Sequence, residues 1–282
     1  MTTRFSLLAA LTGLAVVASI SPVRAQTIIG IDMYNGSQTN QTPGTAAVVG
    51  PVPTSGWYNE VNPAAVPGPA SLVNNLDQST SATFGFTQSG NTLSGNPIYN
   101  SGYGAAGAAN ATLTANQQLY NGSVQASYNS WSQQLVLTNI PYGQYDVYLL
   151  VYAGQYTNTV GSVELFKGGV LSGASTTYYF SNTGPYNVPP IPDSTNNPFY
   201  VVATGTSFAT ATSGADVVHF GDIFTPNSTF DLVNDGGTVP ESIDLAGIEI
   251  VATPEPSTWA LMLAGVVMLA VLARRRRLAV RA

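Results

Sequence analysis

The chain has 282 residues, a formal charge of −6 and no cysteine, but the charge is unevenly spread: residues 26–252 hold one basic residue, Lys167, against thirteen acids, a local charge of −12. So acidic a segment has nothing with which to grip a phosphate backbone, which excludes nucleic-acid binding, and an anionic membrane surface repels it. Without thiols there are no disulfides and no thiolate metal site, so these residues must hold together by burial alone, and they are numerous enough for one sizeable core.

The N-terminus reads as an export signal. Arg4 supplies a short positive region, Phe5 to Ile20 an apolar stretch, and Val23 and Ala25 the small residues expected at the minus-three and minus-one positions of a cleavage site. The predicted signal peptide is 1–25, cut after Ala25, with an uncleaved anchor as the alternative. The exported domain is then 26–252.

Within it, strand-length clusters of Tyr, Phe, Val and Ile recur between turn residues. Strands are expected at Thr27 to Tyr34, Thr83 to Thr87, Gln134 to Thr138, Tyr145 to Tyr152, Ser162 to Phe166, Thr176 to Phe180, Phe199 to Ala203, Asp216 to Ile223, Thr229 to Val233 and Ser242 to Val251. One short helix is expected around Asn116 to Tyr128. Asn35 to Pro69, Ser89 to Ala111 and Ser181 to Pro198, rich in Pro, Gly or Asn, read as long loops. The fold class that follows is all-β, a single β-sandwich between the signal peptide and a C-terminal apolar segment.

The run Leu135 to Tyr152 predicts a hairpin, with Pro141 setting φ at one turn position and Gly143 taking positive φ nearby. In its second arm Tyr145, Val147, Leu149 and Val151 share one face and Asp146, Tyr148, Leu150 and Tyr152 the other, so a central strand covered on both sides is expected. Together with the closing run Leu245 to Val251, this segment resembles jelly-roll, galactose-binding-like carbohydrate-binding modules, over residues 130 to 252. The resemblance implies a jelly-roll-like sandwich and does not by itself assign a function.

Catalytic groups are scarce. His219 is the only histidine, so a Ser-His-Asp triad has one place to form, and as a strand residue it reads as partly buried structure. Asp216 with Asp222, or Asp146 with Glu164, are the carboxylate pairs that a glycosidase would need, although acids on sheets ordinarily face water. Two binding ideas remain. Hard oxygen ligands at Asp32, Asp244 and Glu249 could hold a structural calcium ion, where jelly-roll sugar-binding modules keep one. Trp57 and Tyr58, ahead of Tyr99, Tyr103, Tyr156 and Tyr186, could stack on sugar rings, the alternative for Trp57 being packing over the sandwich. Trp131 is assigned to the core.

The C-terminus carries three signals in order. Pro254-Glu255-Pro256 comes first, then an uncharged apolar run from Thr258 to Ala273, then Arg274-Arg275-Arg276-Arg277. Sixteen helical residues reach about 24 Å, short of a hydrocarbon core about 30 Å thick, so the predicted span 258–273 relies on snorkelling by Arg274 and an interfacial Trp259. The arginines place the C-terminus in the cytoplasm. Residues 253–282 resemble the PEP-CTERM sorting tail of Gram-negative bacteria. The resemblance implies recognition of Pro254, Glu255 and Pro256 by the membrane protease-transferase exosortase, removal of the span and arginines, and delivery to the cell surface or exopolysaccharide matrix. The expected protein is an exported, non-enzymatic surface or biofilm-matrix protein with no obligatory cofactor. Its partners are exosortase, the membrane by way of a transient helix, and extracellular polysaccharide. A carbohydrate-binding adhesin and a polysaccharide-cleaving enzyme are the alternatives.

Overall fold

The computed structural model describes residues 26–33, 47–57, 59–61, 71–88, 91–92, 115–120, 124–128, 131–153, 160–167, 176–181, 200–236, 242–253, 265–270 and 272–274. The chain divides into a unit Thr27–Thr253 and a second unit made of the residues on either side. The first has its own core, and strand predominates among its described residues.

Its strands are β1 (Ile28–Met33), β2 (Asn59–Val61), β3 (Thr83–Gln88), β4 (Asn91–Thr92), β5 (Val124–Tyr128), β6 (Trp131–Thr138), β7 (Tyr145–Ala153), β8 (Val160–Lys167), β9 (Thr176–Ser181), β10 (Thr212–Ser213), β11 (Val217–Ile223), β12 (Ser228–Gly236) and β13 (Ser242–Ala252), with one short helix, α1 (Ala115–Leu119). They form two sheets. In the first, β11 pairs with β7 and β7 with β13, and the far edge of β13 is shared by β5 and β1, with β2 parallel to β1 beyond. In the second the order is β10, β9, β8, β12, β6, β3, β4. β5 also pairs with the first residues of β6, joining the sheets at one corner.

Period-two alternation fills the space between the sheets. Ile29, Ile31, Val147, Leu149, Ile248 and Ile250 face inward from the first sheet and meet Leu135, Leu137, Val163, Leu165, Phe230 and Leu232 from the second, all at most 1% exposed. Tyr145 joins this core, its hydroxyl donating to the Thr225 carbonyl at 2.9 Å and paired with Ser228 Oγ at 2.9 Å. β7 is central, as its two apolar faces predict: one face lies in this core, and Leu150 on the other belongs to a second cluster with Val49, Trp57, Leu119, Tyr120 and Ala246.

Four expectations are corrected. Leu135 to Tyr152 is not a hairpin: β6 pairs with β3 and β12 in the second sheet and β7 with β11 and β13 in the first, so residues 139–144 cross between sheets. The positive φ of that crossing falls at Asn139 (55°), not at Gly143. The helix expected to Tyr128 stops at Leu119, and Val124–Tyr128 is a strand against β13. Within the run expected as a strand to Ala203, the described residues make only an isolated parallel bridge, Val202 to Val217, beside the edge of β11.

Candidate functional site

The outer face of the first sheet is the most chemically loaded surface of the domain. Strand register sets His219 opposite Tyr148, Tyr148 opposite Glu249 and Glu249 opposite Gly30, one row across four strands. Gly30 lets the Trp57 indole lie on the sheet, since a Cβ there would stand 2.9 Å from ring atoms. Trp57 is 1% exposed and donates its indole N–H to the Val49 carbonyl at 3.3 Å. Gly50, at φ 103°, passes between that ring and Glu249, where a Cβ would meet both at under 3 Å.

Two acids are sealed beneath this cover. Glu249 Oε2 accepts the Val52 N–H at 2.9 Å, while Oε1 is buried without a hydrogen-bond partner; burial pushes its carboxyl up to about 8 against that hydrogen bond. Asp216 Oδ1 accepts the Val201 N–H at 2.7 Å, its Oδ2 is likewise buried without a partner, and burial raises it to about 7. Tyr120 donates to the Asp216 backbone carbonyl at 2.9 Å, and Tyr200 donates to Asn116 Oδ1 at 2.8 Å. Burial, with Asp216 next in weight, holds the Tyr120 hydroxyl well above its ordinary value; burial, then Glu249, does the same for Tyr200. Burial thus favours the neutral form of both acids.

The other end of the row reaches solvent. His219 stacks on Tyr148 with centroids 4.2 Å apart and rings within 7° of parallel, and its Nε2 lies 3.3 Å from Asp146 Oδ2. Asp146 Oδ1 accepts the Asp222 N–H at 3.0 Å, and Gln144 donates to Asp222 Oδ1 at 2.6 Å. Burial raises Asp146, but the bonds from His219 and the Asp222 N–H outweigh it and leave the carboxyl below its ordinary value. The Asp146–His219 pair was not anticipated from sequence; their cross-strand approach depends on the register of β7 against β11. No nucleophile is placed on the histidine by any described hydrogen bond, so the arrangement is a hydrogen-bonded Asp–His pair rather than a triad.

The sequence candidates fall as follows. Trp57 is not available for sugar stacking, because its ring is buried on Gly30; Tyr58, Tyr99, Tyr103, Tyr156 and Tyr186 lie outside the described residues. Trp131 begins β6, and its side chain is outside the description. Asp32, Asp244 and Glu249 are all buried, on β1 and β13. Asp32 lies opposite Gly247, Glu249 opposite Gly30, and Asp244 opposite Gln125 and Tyr152 beyond a bulge. Among the described residues no three acids or histidines form a metal-ligating group. The glycosidase pairs also separate: Asp146 is in the first sheet and Glu164 in the second, while Asp216 is buried at one end of β11 and Asp222 exposed at the other.

The C-terminal signals start where the first sheet ends. Ala252 donates to the Thr27 carbonyl at 2.9 Å and Thr253 to that of Gln144 at 3.0 Å, so the last strand is held by hydrogen bonds up to the residue before Pro254. Pro254, Glu255, Pro256, Ala25 and Arg275 to Arg277 lie outside the described residues. Residues 265–270 and 272–274, including Arg274, are helical within and just past the expected span, and Val266, Val267, Met268, Leu269 and Leu272 are 43–66% exposed. No described helix is long and apolar enough to cross a membrane.

Residues 252–277 match the PEP-CTERM protein-sorting motif. No curated protein and no solved structure matches the chain. The likeness to galactose-binding-like modules therefore rests only on the residues quoted for it, while the all-β sandwich itself is observed. With a strand locked up to Thr253 and the motif beginning at its last residues, the chain carries the sorting signal of the PEP-CTERM proteins and is, by that signal, an exosortase-sorted extracellular protein exported through the membrane to the cell surface.

Proposed function

We propose that the exported sandwich is a non-enzymatic structural constituent of the extracellular matrix, associated with exopolysaccharide at the biofilm surface. The observation that carries this reading is the sorting motif at 252–277, which commits the chain to the cell exterior. In this reading 1–25 is removed as a signal peptide. The run 258–273 spans the inner membrane with Arg274–Arg277 in the cytoplasm until exosortase acts. In this reading the domain needs no cofactor.

Contact with polysaccharide then involves aromatic groups other than Trp57. The test is fractionation of matrix from cells with and without the gene, together with incubation of the purified domain on isolated matrix polysaccharide. The protein should co-purify with matrix and release no sugar. Its absence from the matrix, with matrix composition unchanged in the deletion strain, would overturn the structural role; sugar release would assign an enzyme instead.

A further inference from the structure

The end of the sandwich from which Thr253 emerges is built from pinned loops that carry apolar tips. Next to β1, Asn75 donates to the Ile28 carbonyl, and Asn74 Oδ1 accepts from the backbones of Leu76 and Gln78 at 2.9 and 3.1 Å, closing a tight turn. On the β11 side the turn into β12 is tied down by Ile140 N–H to the Pro226 carbonyl, Asn139 N–H to Asn227 Oδ1 and Thr225 Oγ1 to the Asn227 carbonyl. Loop tips are ordinarily small or polar. These two present Leu76 at 51% and Phe224 at 62% exposure, flanking the strand that leads into the tail. In sequence only Pro254 to Ser257 separate Thr253 from the apolar run. Four extended residues reach at most about 14 Å, and the headgroup layer beyond the hydrocarbon occupies about 5–8 Å of that.

From the short tether and the two exposed tips we infer that, while the tail is anchored, this end of the sandwich rests on the zwitterionic headgroup layer of the bilayer, with Leu76 and Phe224 as the contacting side chains. The inference rests on the reading of 258–273 as a membrane span. Exposed Asp77 and Asp222 stand beside the two tips, so neutral lipid is the fitting surface and anionic lipid is disfavoured.

The chain has no cysteine, so single labelling sites are unambiguous. Residues 26–282 carrying Leu76→Cys, Phe224→Cys or, at the far end beside Ser181, the exposed Ser213→Cys are spin-labelled and reconstituted into phosphatidylcholine vesicles. Flotation is measured first. A chain that does not float with the vesicles refutes the span and the docking together. In floated chains, the labels at 76 and 224 should be severalfold less accessible to a water-soluble nickel relaxant than the label at 213. Equal accessibility at all three sites overturns the docking while leaving the span intact. Protection at 76 and 224 that disappears when the protein is diluted within the vesicles assigns the face to a second copy and also overturns it. Replacing half the lipid by phosphatidylglycerol should reduce the protection; an increase would contradict the neutral-lipid assignment.

Discussion

Glu249 and Asp216 should make the domain weaken as pH rises, which is the reverse of ordinary carboxylate behaviour. Burial raises Glu249 from its ordinary 4.5 to about 8 and Asp216 from 3.8 to about 7. The folded state therefore holds protons that the unfolded chain has released. Stability is full below the unfolded values, near pH 4, and is lost as pH rises towards the folded ones. At 1.36 kcal/mol per pH unit, the Glu249 rise alone comes to on the order of 5 kcal/mol by pH 8, comparable with the whole stability of a small domain, about 5–15 kcal/mol. Glu249→Gln keeps an acceptor for the Val52 N–H and cannot ionise. Urea unfolding of residues 26–253 between pH 5 and 9 should show a steep fall for the native sequence. The variant should fall less steeply and be the more stable of the two at pH 9 by a few kcal/mol. Parallel curves for the two proteins would refute the assignment of a neutral, buried Glu249.

Gly30→Ala should cost about 1–3 kcal/mol and shift Trp57 emission, because the new methyl group meets the indole at 2.9 Å; Gly85→Ala, with nothing within 4 Å, should change neither in urea titrations. Calcium should raise the melting temperature no more than magnesium at equal ionic strength, since no three acids or histidines among the described residues form a metal-ligating group; a calcium-specific rise in calorimetry would restore an ion site. Surface material analysed by mass spectrometry should lack residues 258–282, and replacing Pro254, Glu255 and Pro256 by alanine should leave chains ending at Ala282. Changing Arg274 to Arg277 to serine should let unprocessed protein escape into the medium, detectable by immunoblot; unaltered retention and processing would remove the cluster from the sorting signal.

The strands were legible because alternation is a local property. Tyr145, Val147, Leu149 and Val151 are buried together in the core for the reason their spacing predicts, and the two apolar faces announced a central strand, although on the opposite face Leu150 is buried while Asp146 and Tyr148 are half-buried. Alternation does not say which strand is the neighbour. The segment from Leu135 to Tyr152 has the arms and turn residues of a hairpin, yet Val136 is opposite Gly85 and Thr229 while Val147 is opposite Phe220 and Ile250. Those partners, far off in sequence, hold the two arms in different sheets. The region from Asn116 went wrong for a related reason. Ala115–Leu119 is helical, but Gly122 is a poor helix residue, and Val124–Tyr128 pairs as a strand with β13.

The same distinction separates the two parts of the functional reading. The sorting signal is contiguous: a short motif, an apolar run and a charge cluster are recognised by their order along about thirty residues, with no tertiary contact required. The covered acid layer is the opposite case. The hydrogen bond that holds Glu249 comes from Val52, 197 positions away, and the residue that makes room for Trp57 over the sheet is Gly30, known as its neighbour only once β1 is set against β13. One local sign did exist. Glu249 interrupts Leu245 to Val251, a run otherwise apolar on both faces, and such a strand is covered on both faces. A calcium ligand was one way to satisfy it. The structure uses another, a single backbone hydrogen bond with the carboxyl pushed towards its neutral form, which is why the charge of this face should be a function of pH.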